Sequence, residues 1–490
     1  MVFDTKSGIR WLSILQFSEI FIQSMVKIVL AWILSPSAFG VVGSALILTG
    51  FVQATTQTGV YAALIQRKNK TEDYLDAGWS IEIVRGLTLY AIIYYVSPWY
   101  VEYMVGVNQQ DYIDVIRVLA LTIIIDSFKN VGIVLFDKQI NFRQVFNLQI
   151  SGLIVRTIAT LAFSLYFQTY WGLIYGMILG SLTVFIMSYV LSDYKPKFNF
   201  ELTKCKQLLN FGIWVFAYTI VGYLILKLSD AFVLKYIGIE GLGIFQMAFF
   251  IGMLFRNSIS EIQNRIIFPL ASKYQSNEKE IKKLYIESIE LSVLLYLPAG
   301  VGLVIVSDNL VSIMFDESWA AIVDILPLLS IAGIFSALVR VIEQFYKGEG
   351  VPKYVFSFSF ISVLILLFCI MFVYERTLLG ISYSILTSSA MQFSIIFIHS
   401  LTFFKARDEL PVKNISVIVI GVVLMATSVT YFNQYFSTHD AVQLLWSIVT
   451  GVVIYTSYLY IVAEIFNMSL VKKIFSYMGI YLILKRQNSN

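Results

Sequence analysis

Charged residues, cysteines and histidines are all scarce in this 490-residue chain. Only 13% of its residues are charged, whereas a soluble globular protein carries about 25%. Two cysteines, Cys205 and Cys369, and two histidines, His399 and His439, lie far apart without the spacing of metal ligands. We therefore expect no disulfide, no metal site, no other cofactor and no histidine-based catalysis. The net charge of +4 is small and the basic residues are scattered, so no nucleic-acid partner is expected.

Hydrophobic sequence is what the chain has in abundance, at 58% of its residues. It forms repeated apolar runs of about 20 residues, the length of a helix that crosses roughly 30 Å of hydrocarbon. Backbone groups inside lipid must be satisfied within their own segment, so these runs are predicted to be helices. The predicted fold class is an all-α integral membrane protein with fourteen transmembrane helices. The predicted spans are 11–33, 39–62, 76–97, 113–136, 145–167, 170–192, 207–236, 240–268, 286–307, 322–346, 354–374, 378–400, 414–433 and 441–464.

The short loops between these spans alternate in charge. One side of the membrane holds 24 of the 35 basic residues, whereas the opposite side holds only Lys235 and Arg376. Because cytoplasmic loops carry the excess of Lys and Arg, both termini of this multi-pass protein are predicted to be cytoplasmic. Residues 467–490 include a short apolar stretch flanked by basic residues, which predicts a cytoplasmic amphipathic tail.

Two segments indicate an internal duplication. Segment 31–43 resembles segment 234–246 at an offset of 203 residues, and each places a glycine, Gly40 or Gly243, at the start of the next span. Six spans return the chain to the same side, so the halves are predicted to form a parallel pseudo-repeat of two six-helix lobes. The predicted domains are an N-lobe, a C-lobe, a pair of C-terminal helices and the tail, with bounds 1–200, 201–405, 406–466 and 467–490.

Apart from Lys235 at the very end of a span, nine basic residues fall inside the predicted spans, where a lipid-facing charge costs at least ~2.5–3.5 kcal/mol. Most of them must therefore face a partner or an aqueous cavity. Spacing at i, i+3 predicts four neutralising ion pairs, which are Glu82–Arg85, Asp126–Lys129, Lys227–Asp230 and Arg340–Glu343. Lys27, Arg156 and Arg256 have no opposite charge three or four residues away, so we expect them to line a central cavity.

Other polar side chains accompany these cations. Glu19, Gln23 and Lys27 share one face of the first span. A cavity of cations and amides suits an anionic, hydroxyl-rich ligand, because Lys and Arg bind phosphate and amides bind sugar hydroxyls. The predicted substrate-binding residues of the central cavity are Lys27, Arg156, Arg256, Gln23, Gln53, Gln57 and Asn257.

Several segments of the chain are similar to prokaryotic polysaccharide transporters. The longest runs from Leu30 to Leu75 and includes LSPSAFGVVGSALILTGFVQATTQTG. Others are LLNFGIWVF at 208–216, LSDAFVLKYIGIEGLGIFQMA at 228–248 and LVSIMFDESWAAIVDILPLLSIAGIFSAL at 310–338. On these segments the chain resembles the Wzx-type flippases of the MOP superfamily, especially their WzxC-like branch.

This resemblance implies a V-shaped fold of two lobes, with the two C-terminal helices bordering a groove for a lipid tail. It implies that the protein moves a polyprenyl-diphosphate-linked oligosaccharide from the cytoplasmic to the outer leaflet of the inner (plasma) membrane by alternating access. Such a flippase would serve biosynthesis of a surface polysaccharide, such as lipopolysaccharide O-antigen or exopolysaccharide, with membrane lipid and other assembly proteins as partners. Glu19, and Asp230 in a family-like segment, are the predicted residues for coupling to a proton or sodium gradient.

Two other functions remain open at this point. A multidrug-type exporter of small molecules belongs to the same superfamily, but it would have twelve spans and a more acidic cavity. A membrane glycosyltransferase or polysaccharide polymerase would need a sizeable outer loop with paired carboxylates. The longest outer loops here, near 98–112 and 308–321, have only about fifteen residues, within the range of ordinary connections.

Overall fold

The computed structural model describes residues 5–55, 59–66, 71–106, 110–139, 141–435 and 440–465. Every regular element in these ranges is helical. The α-helices are α1 Thr5–Ala31, α2 Pro36–Ala54, α3 Val60–Gln66, α4 Leu75–Val105, α5 Gln110–Ser127, α6 Val134–Lys138, α7 Phe142–Phe167, α8 Trp171–Leu191, α9 Leu202–Tyr236, α10 Ile239–Tyr274, α11 Glu278–Met314, α12 Ile322–Gly348, α13 Pro352–Phe368, α14 Leu378–Phe403, α15 Val412–Tyr435 and α16 Asp440–Ile465. They form two compact units, Met1–Gln246 and Met247–Asn490.

The first unit contains α1 to α9 and the beginning of α10. Helices α7 and α8 pack closely against each other, because glycines on both helices leave no room for a Cβ atom. A Cβ added at Gly180 on α8 would lie 2.7 Å from the Cβ atom of Arg156 on α7. The extended link from α8 to α9 is held by Asp76 Oδ1, which accepts hydrogen bonds from the Tyr194 hydroxyl (2.6 Å) and the Lys197 amide (2.7 Å).

The second unit is built around α12, whose apolar face is almost fully buried. Tyr285, Phe345 and Phe404 pack as an aromatic cluster in its core. The last two helices, α15 and α16, pack on α11, and the Tyr455 hydroxyl donates to the Leu294 carbonyl at 2.9 Å.

Eleven of the described helices are long and apolar enough to cross a membrane. A twelfth span would join α5 to the segment Val131–Lys138, across a bend of 67°. Large apolar side chains lie exposed on these helices, Phe372 at 75% for example, as expected for a lipid-facing surface. The protein is therefore an all-helical, multi-pass membrane protein.

Each of the fourteen predicted spans overlaps a long helix. However, α4 and α9 are not among the eleven helices that are apolar enough to cross a membrane. Both carry several charged or tyrosine side chains over 31 and 35 residues. The domain bounds at 200, 405 and 466 stay predictions. The tail 467–490 lies outside the described residues, as does Gln57.

Two predicted spans are not single straight helices. The span 113–136 was predicted as one helix, but α5 ends at Ser127 and the chain bends before α6. Asn130 causes the interruption, since its side chain accepts a hydrogen bond from the Gly132 amide at 2.8 Å and caps a new helical turn. The span 39–62 ends early as well. Helix α2 stops at Ala54, and Gly59, with a φ of 64°, precedes α3.

Candidate functional site

The first unit contains a polar cavity of about 390 Å³ between α1, α2, α5, α7 and α8. We call it the first-unit cavity. Its size is within the ~300–1,000 Å³ of ordinary ligand pockets. Ten of its eighteen lining residues are polar or charged. These are Glu19, Gln23, Thr49, Gln53, Thr122, Asp126, Lys129, Gln149, Arg156 and Ser181.

Helical spacing aligns these polar groups. On α1, Glu19 and Gln23 are four residues apart and therefore face the same side. On α7, Gln149 and Arg156 are seven residues apart, which is close to two turns. Gly180 on α8 provides the space for the Arg156 side chain, since even a methyl group there would contact its stem. The polar stripes of both helices thus reach the first-unit cavity.

The charges in this cavity balance. Asp126 and Lys129 form an ion pair at 2.9 Å. Glu19 and Arg156 attract each other electrostatically, but they form neither a hydrogen bond nor a close ion pair with one another. Among the described lining residues, two acidic and two basic groups therefore leave the cavity with no formal net charge.

A second polar cluster in the first unit surrounds Asp230 on α9. This buried carboxylate accepts hydrogen bonds at Oδ2 from Lys227 Nζ (2.7 Å) and from Gln246 Nε2 (2.8 Å) on α10. Lys27 on α1 lies in the electrostatic field of both Lys227 and Asp230. The Tyr223 hydroxyl donates to the Ile47 carbonyl at 2.6 Å, which ties α9 to α2 beside this cluster.

Directly next to this cluster, the starts of α2 and α10 cross at two glycines. A Cβ atom added at Gly40 would collide with the carbonyl oxygen of Ile239. One added at Gly243 would collide with the carbonyl oxygen of Pro36. The two contacts are reciprocal and follow the offset of 203 residues noted in the sequence. Only glycine permits this approach on either side.

The second unit has a cationic cluster on α10 and α12. Arg256 donates to Asn257 Oδ1 through Nη2 at 3.0 Å and Nε at 3.2 Å. Its positive charge is close enough to that of Arg340 for the two to repel each other. Glu343 lies nearby, but its ion pair is with Lys347, at 3.9 Å. Among the side chains that the structure describes, three cations and one carboxylate give this cluster a formal charge of +2.

The sequence-predicted site residues thus fall into three groups. Glu19, Gln23, Gln53 and Arg156 line the first-unit cavity. Lys27 and Asp230 belong to the cluster on α1 and α9.

The third group is in the second unit, where Arg256 and Asn257 are hydrogen-bonded to each other.

Three of the four predicted ion pairs are confirmed. Glu82–Arg85 forms at 2.6 Å, Asp126–Lys129 at 2.9 Å and Lys227–Asp230 at 2.7 Å. The fourth prediction, Arg340–Glu343, is wrong. Glu343 pairs one helical turn further along α12, with Lys347 at i+4, and Arg340 is left beside Arg256.

Sequence reasoning missed two residues of interest. Gln149 lines the first-unit cavity, and its spacing of seven from Arg156 was a usable signal. Gln246 binds Asp230 from the next helix, and nothing in the sequence pairs these two residues.

Residues 29–324 match a protein family described as "Polysaccharide biosynthesis protein". The match covers more than half of the chain, so the chain belongs to this family. This confirms the family predicted from the sequence. The matched range includes Arg156 and Arg256, whereas Glu19 and Arg340 lie outside it.

Three known proteins illustrate the similarity. The chain is 24% identical to the teichuronic acid biosynthesis protein TuaB of Bacillus subtilis (strain 168), over 68% of this chain and 69% of that protein. It is 21% identical to the lipopolysaccharide biosynthesis protein WzxC of Escherichia coli (strain K12), over 72% of each. Its fold is that of the lipid II flippase MurJ in the inward closed conformation, with a TM-score of 0.75, 15% identity and coverage of 93% and 99%.

Proposed function

We propose that this protein is a flippase that moves a polyprenyl-diphosphate-linked oligosaccharide from the cytoplasmic to the outer leaflet. It is a transporter rather than an enzyme. Membership of the polysaccharide biosynthesis family and the names of its relatives support a lipid-linked glycan as substrate. The observation that carries the proposal is the pair of neighbouring arginines, Arg256 and Arg340, inside two predicted spans. Among the described side chains, the carboxylate near both is Glu343, and it is paired with Lys347.

The chemistry of this cationic cluster fits a diphosphate. Uncompensated charge within a membrane is expensive, so such groups mark the paths of charged substrates. Guanidinium groups bind phosphate oxygens through two parallel hydrogen bonds, with more geometric specificity than ammonium groups provide. We therefore assign diphosphate binding to Arg256 and Arg340. The sequence alone had suggested Lys27, Arg156 and Arg256 for this role.

Transport would follow alternating access. The crossing of α2 and α10 at Gly40 and Gly243 would close the outer end of the first unit and separate when the substrate is released. Asp230 sits beside this crossing and binds Gln246 on α10, so protonation or sodium binding there would loosen the closure. We propose Asp230 as the coupling residue, with Glu19 as the alternative.

The proposed topology has fourteen spans with both termini in the cytoplasm, in the inner membrane and alongside other polysaccharide assembly proteins. It counts α4 and α9 as spans in addition to the eleven apolar helices and the bent pair. The alternating loop charges support this arrangement.

The two alternative functions are weaker. A small-molecule exporter shares the fold class, but TuaB and WzxC are both named for the biosynthesis of surface glycans. A membrane glycosyltransferase or polymerase has no support from these relatives. The family and relatives therefore favour the flippase.

A reconstituted transport assay tests the proposal. Vesicles containing the protein and a fluorescent polyprenyl-diphosphate disaccharide are treated outside with an impermeant glycosidase, which reports lipid that reaches the outer leaflet. The double variant Arg256→Gln/Arg340→Gln should slow transport at least about tenfold, since each charged hydrogen bond contributes about 1.5–3 kcal/mol.

Arg407→Gln is the matched control, because Arg407 is exposed in a loop. Normal transport by the double variant would remove the diphosphate assignment. If the wild-type protein moves a cationic dye but no glycolipid, it is a small-molecule exporter.

A further inference from the structure

The first-unit cavity differs chemically from the cationic cluster of the second unit. Among the described lining residues, acidic and basic groups are equal in number, and the six other polar side chains all carry an amide or a hydroxyl. A formally neutral cavity offers no net attraction to a diphosphate. A polar cavity within a membrane protein must nonetheless be filled with water or with a polar ligand.

Two amides in this cavity are available for a ligand. Gln23 and Gln149 are exposed and make no hydrogen bond to the part of the chain that the structure describes. Each amide can donate two hydrogen bonds and accept two more. They are on separate helices, α1 and α7, so they approach the cavity from different sides.

Glu19 and Arg156 add a complementary pair. They attract each other but are not closed into an ion pair, in contrast to Asp126 and Lys129 in the same cavity. A carboxylate accepts hydrogen bonds only and a guanidinium donates them only. A hydroxyl can do both, so neighbouring hydroxyls of a sugar ring can bind the two groups together.

We propose that the first-unit cavity is a binding subsite for neutral sugar residues of the translocated glycan, with Gln23, Gln149, Glu19 and Arg156 as its recognition groups. This inference rests on the proposed flippase function and adds that sugar and diphosphate are recognised by different residues. Specificity for the glycan then comes from the first unit, because a site built to bind hydroxyls discriminates strongly against ligands that lack them.

Binding measurements on the full-length protein in lipid nanodiscs test the subsite. The two probes are a polyprenyl diphosphate that carries a neutral hexose disaccharide and the same polyprenyl diphosphate without sugar. The wild-type protein should bind the glycosylated probe at least about tenfold more tightly. The double variant Gln23→Ala/Gln149→Ala should lose most of this difference while its affinity for the sugar-free probe changes by less than about twofold. Asn147→Ala is the matched control, since Asn147 is an amide on α7 that does not line the cavity.

The outcomes separate the two proposals. Normal binding of the sugar-free probe to the double variant also shows that this variant is folded. The sugar-subsite proposal is wrong if the wild-type protein binds both probes equally, or if the double variant loses affinity for both probes to the same extent. Either result leaves the flippase proposal intact. If the wild-type protein binds neither probe, the flippase function itself is wrong.

Discussion

Asp230 is a carboxylate held at the junction of two helices. Lys227 neutralises it from its own helix, and Gln246 binds it from α10. Lys27, Tyr100 and Tyr223 all lie within its electrostatic reach. A carboxylate that binds two helices of a membrane protein is suited to coupling an ion to a helix movement.

The variant Asp230→Asn tests this coupling. It removes the charge that opposes Lys227 and Lys27, so we expect transport to lose its dependence on an imposed gradient. The measurement is the rate of glycolipid transport in vesicles, with and without a proton or a sodium gradient. Glu82→Gln is the control, because Glu82 forms a similar i, i+3 pair with Arg85 on α4. Gradient-dependent transport by Asp230→Asn would assign the coupling elsewhere, with Glu19 as the next residue to examine.

Tyr296 holds a buried network in the second unit. Its hydroxyl donates to Gln263 Oε1 at 2.6 Å and lies 3.0 Å from Ser260 Oγ, and its side chain is fully buried. In Tyr296→Phe the Gln263 oxygen would lose its donor, at a cost of about 1–3 kcal/mol. We therefore expect a lower melting temperature for the purified protein. Tyr431→Phe is the control, since Tyr431 is 63% exposed. An unchanged melting temperature for Tyr296→Phe would show that water or a shifted side chain replaces the hydroxyl.

The residue scale also shows where sequence reasoning reaches its limit. Spacing at i, i+3 correctly predicted the pair Lys227–Asp230, because both partners are on one helix. It failed for Arg340, since Glu343 can reach Lys347 at i+4 equally well and tertiary packing decides between them. Contacts between helices, such as Asp230 with Gln246, have no local signature at all.

At the scale of elements, the crossing of α2 and α10 depends on two glycines. Gly40→Ala and Gly243→Ala should each push the helix starts apart, because the new methyl group would overlap a backbone carbonyl that cannot move aside alone. Since the contacts are reciprocal, we expect the two variants to lower the melting temperature by similar amounts.

The control for these variants is Gly222→Ala on α9. Among the described residues, no atom lies within 4 Å of a Cβ placed at Gly222, and alanine stabilises a helix interior by roughly 0.5–1 kcal/mol relative to glycine. We therefore expect this variant to be neutral or slightly stabilised. If Gly40→Ala and Gly243→Ala behave like the control, the crossing is looser than the structure indicates.

The helices themselves were largely predictable, whereas their interruptions were not. Apolar runs near 20 residues located all the long helices, because length and hydrophobicity are what a bilayer selects. The bend after α5 was missed because residues 113–136 are apolar enough as a whole to be predicted as one span, although four of the five residues at 126–130 are polar. Its cause is one side-chain cap at Asn130, which hydropathy does not register.

At the scale of the whole molecule, the loop charges predict a membrane topology, which cysteine labelling can test. Arg376 and Arg407 flank α14, so they must lie on opposite sides if α14 is a single span with its C-terminal end in the cytoplasm. In a chain whose native cysteines, Cys205 and Cys369, are replaced, Arg376→Cys should react with an impermeant maleimide in intact cells. Arg407→Cys should react only after the cells are opened. The reverse pattern would invert the topology, and equal labelling would exclude α14 as a span.

The reciprocal contact between the starts of α2 and α10 also indicates how such a chain could arise from a dimer. A contact in which one patch meets its own copy is an isologous interface, the kind that holds a two-fold symmetric dimer. Gly40 against Ile239 and Gly243 against Pro36 are the same contact twice, as the predicted parallel repeat of two six-helix halves would require. In such a dimer, the position shared by Lys27 and Asp230 would carry like charges that repel. Joining the subunits into one chain frees that position to carry a lysine in one half and an aspartate in the other.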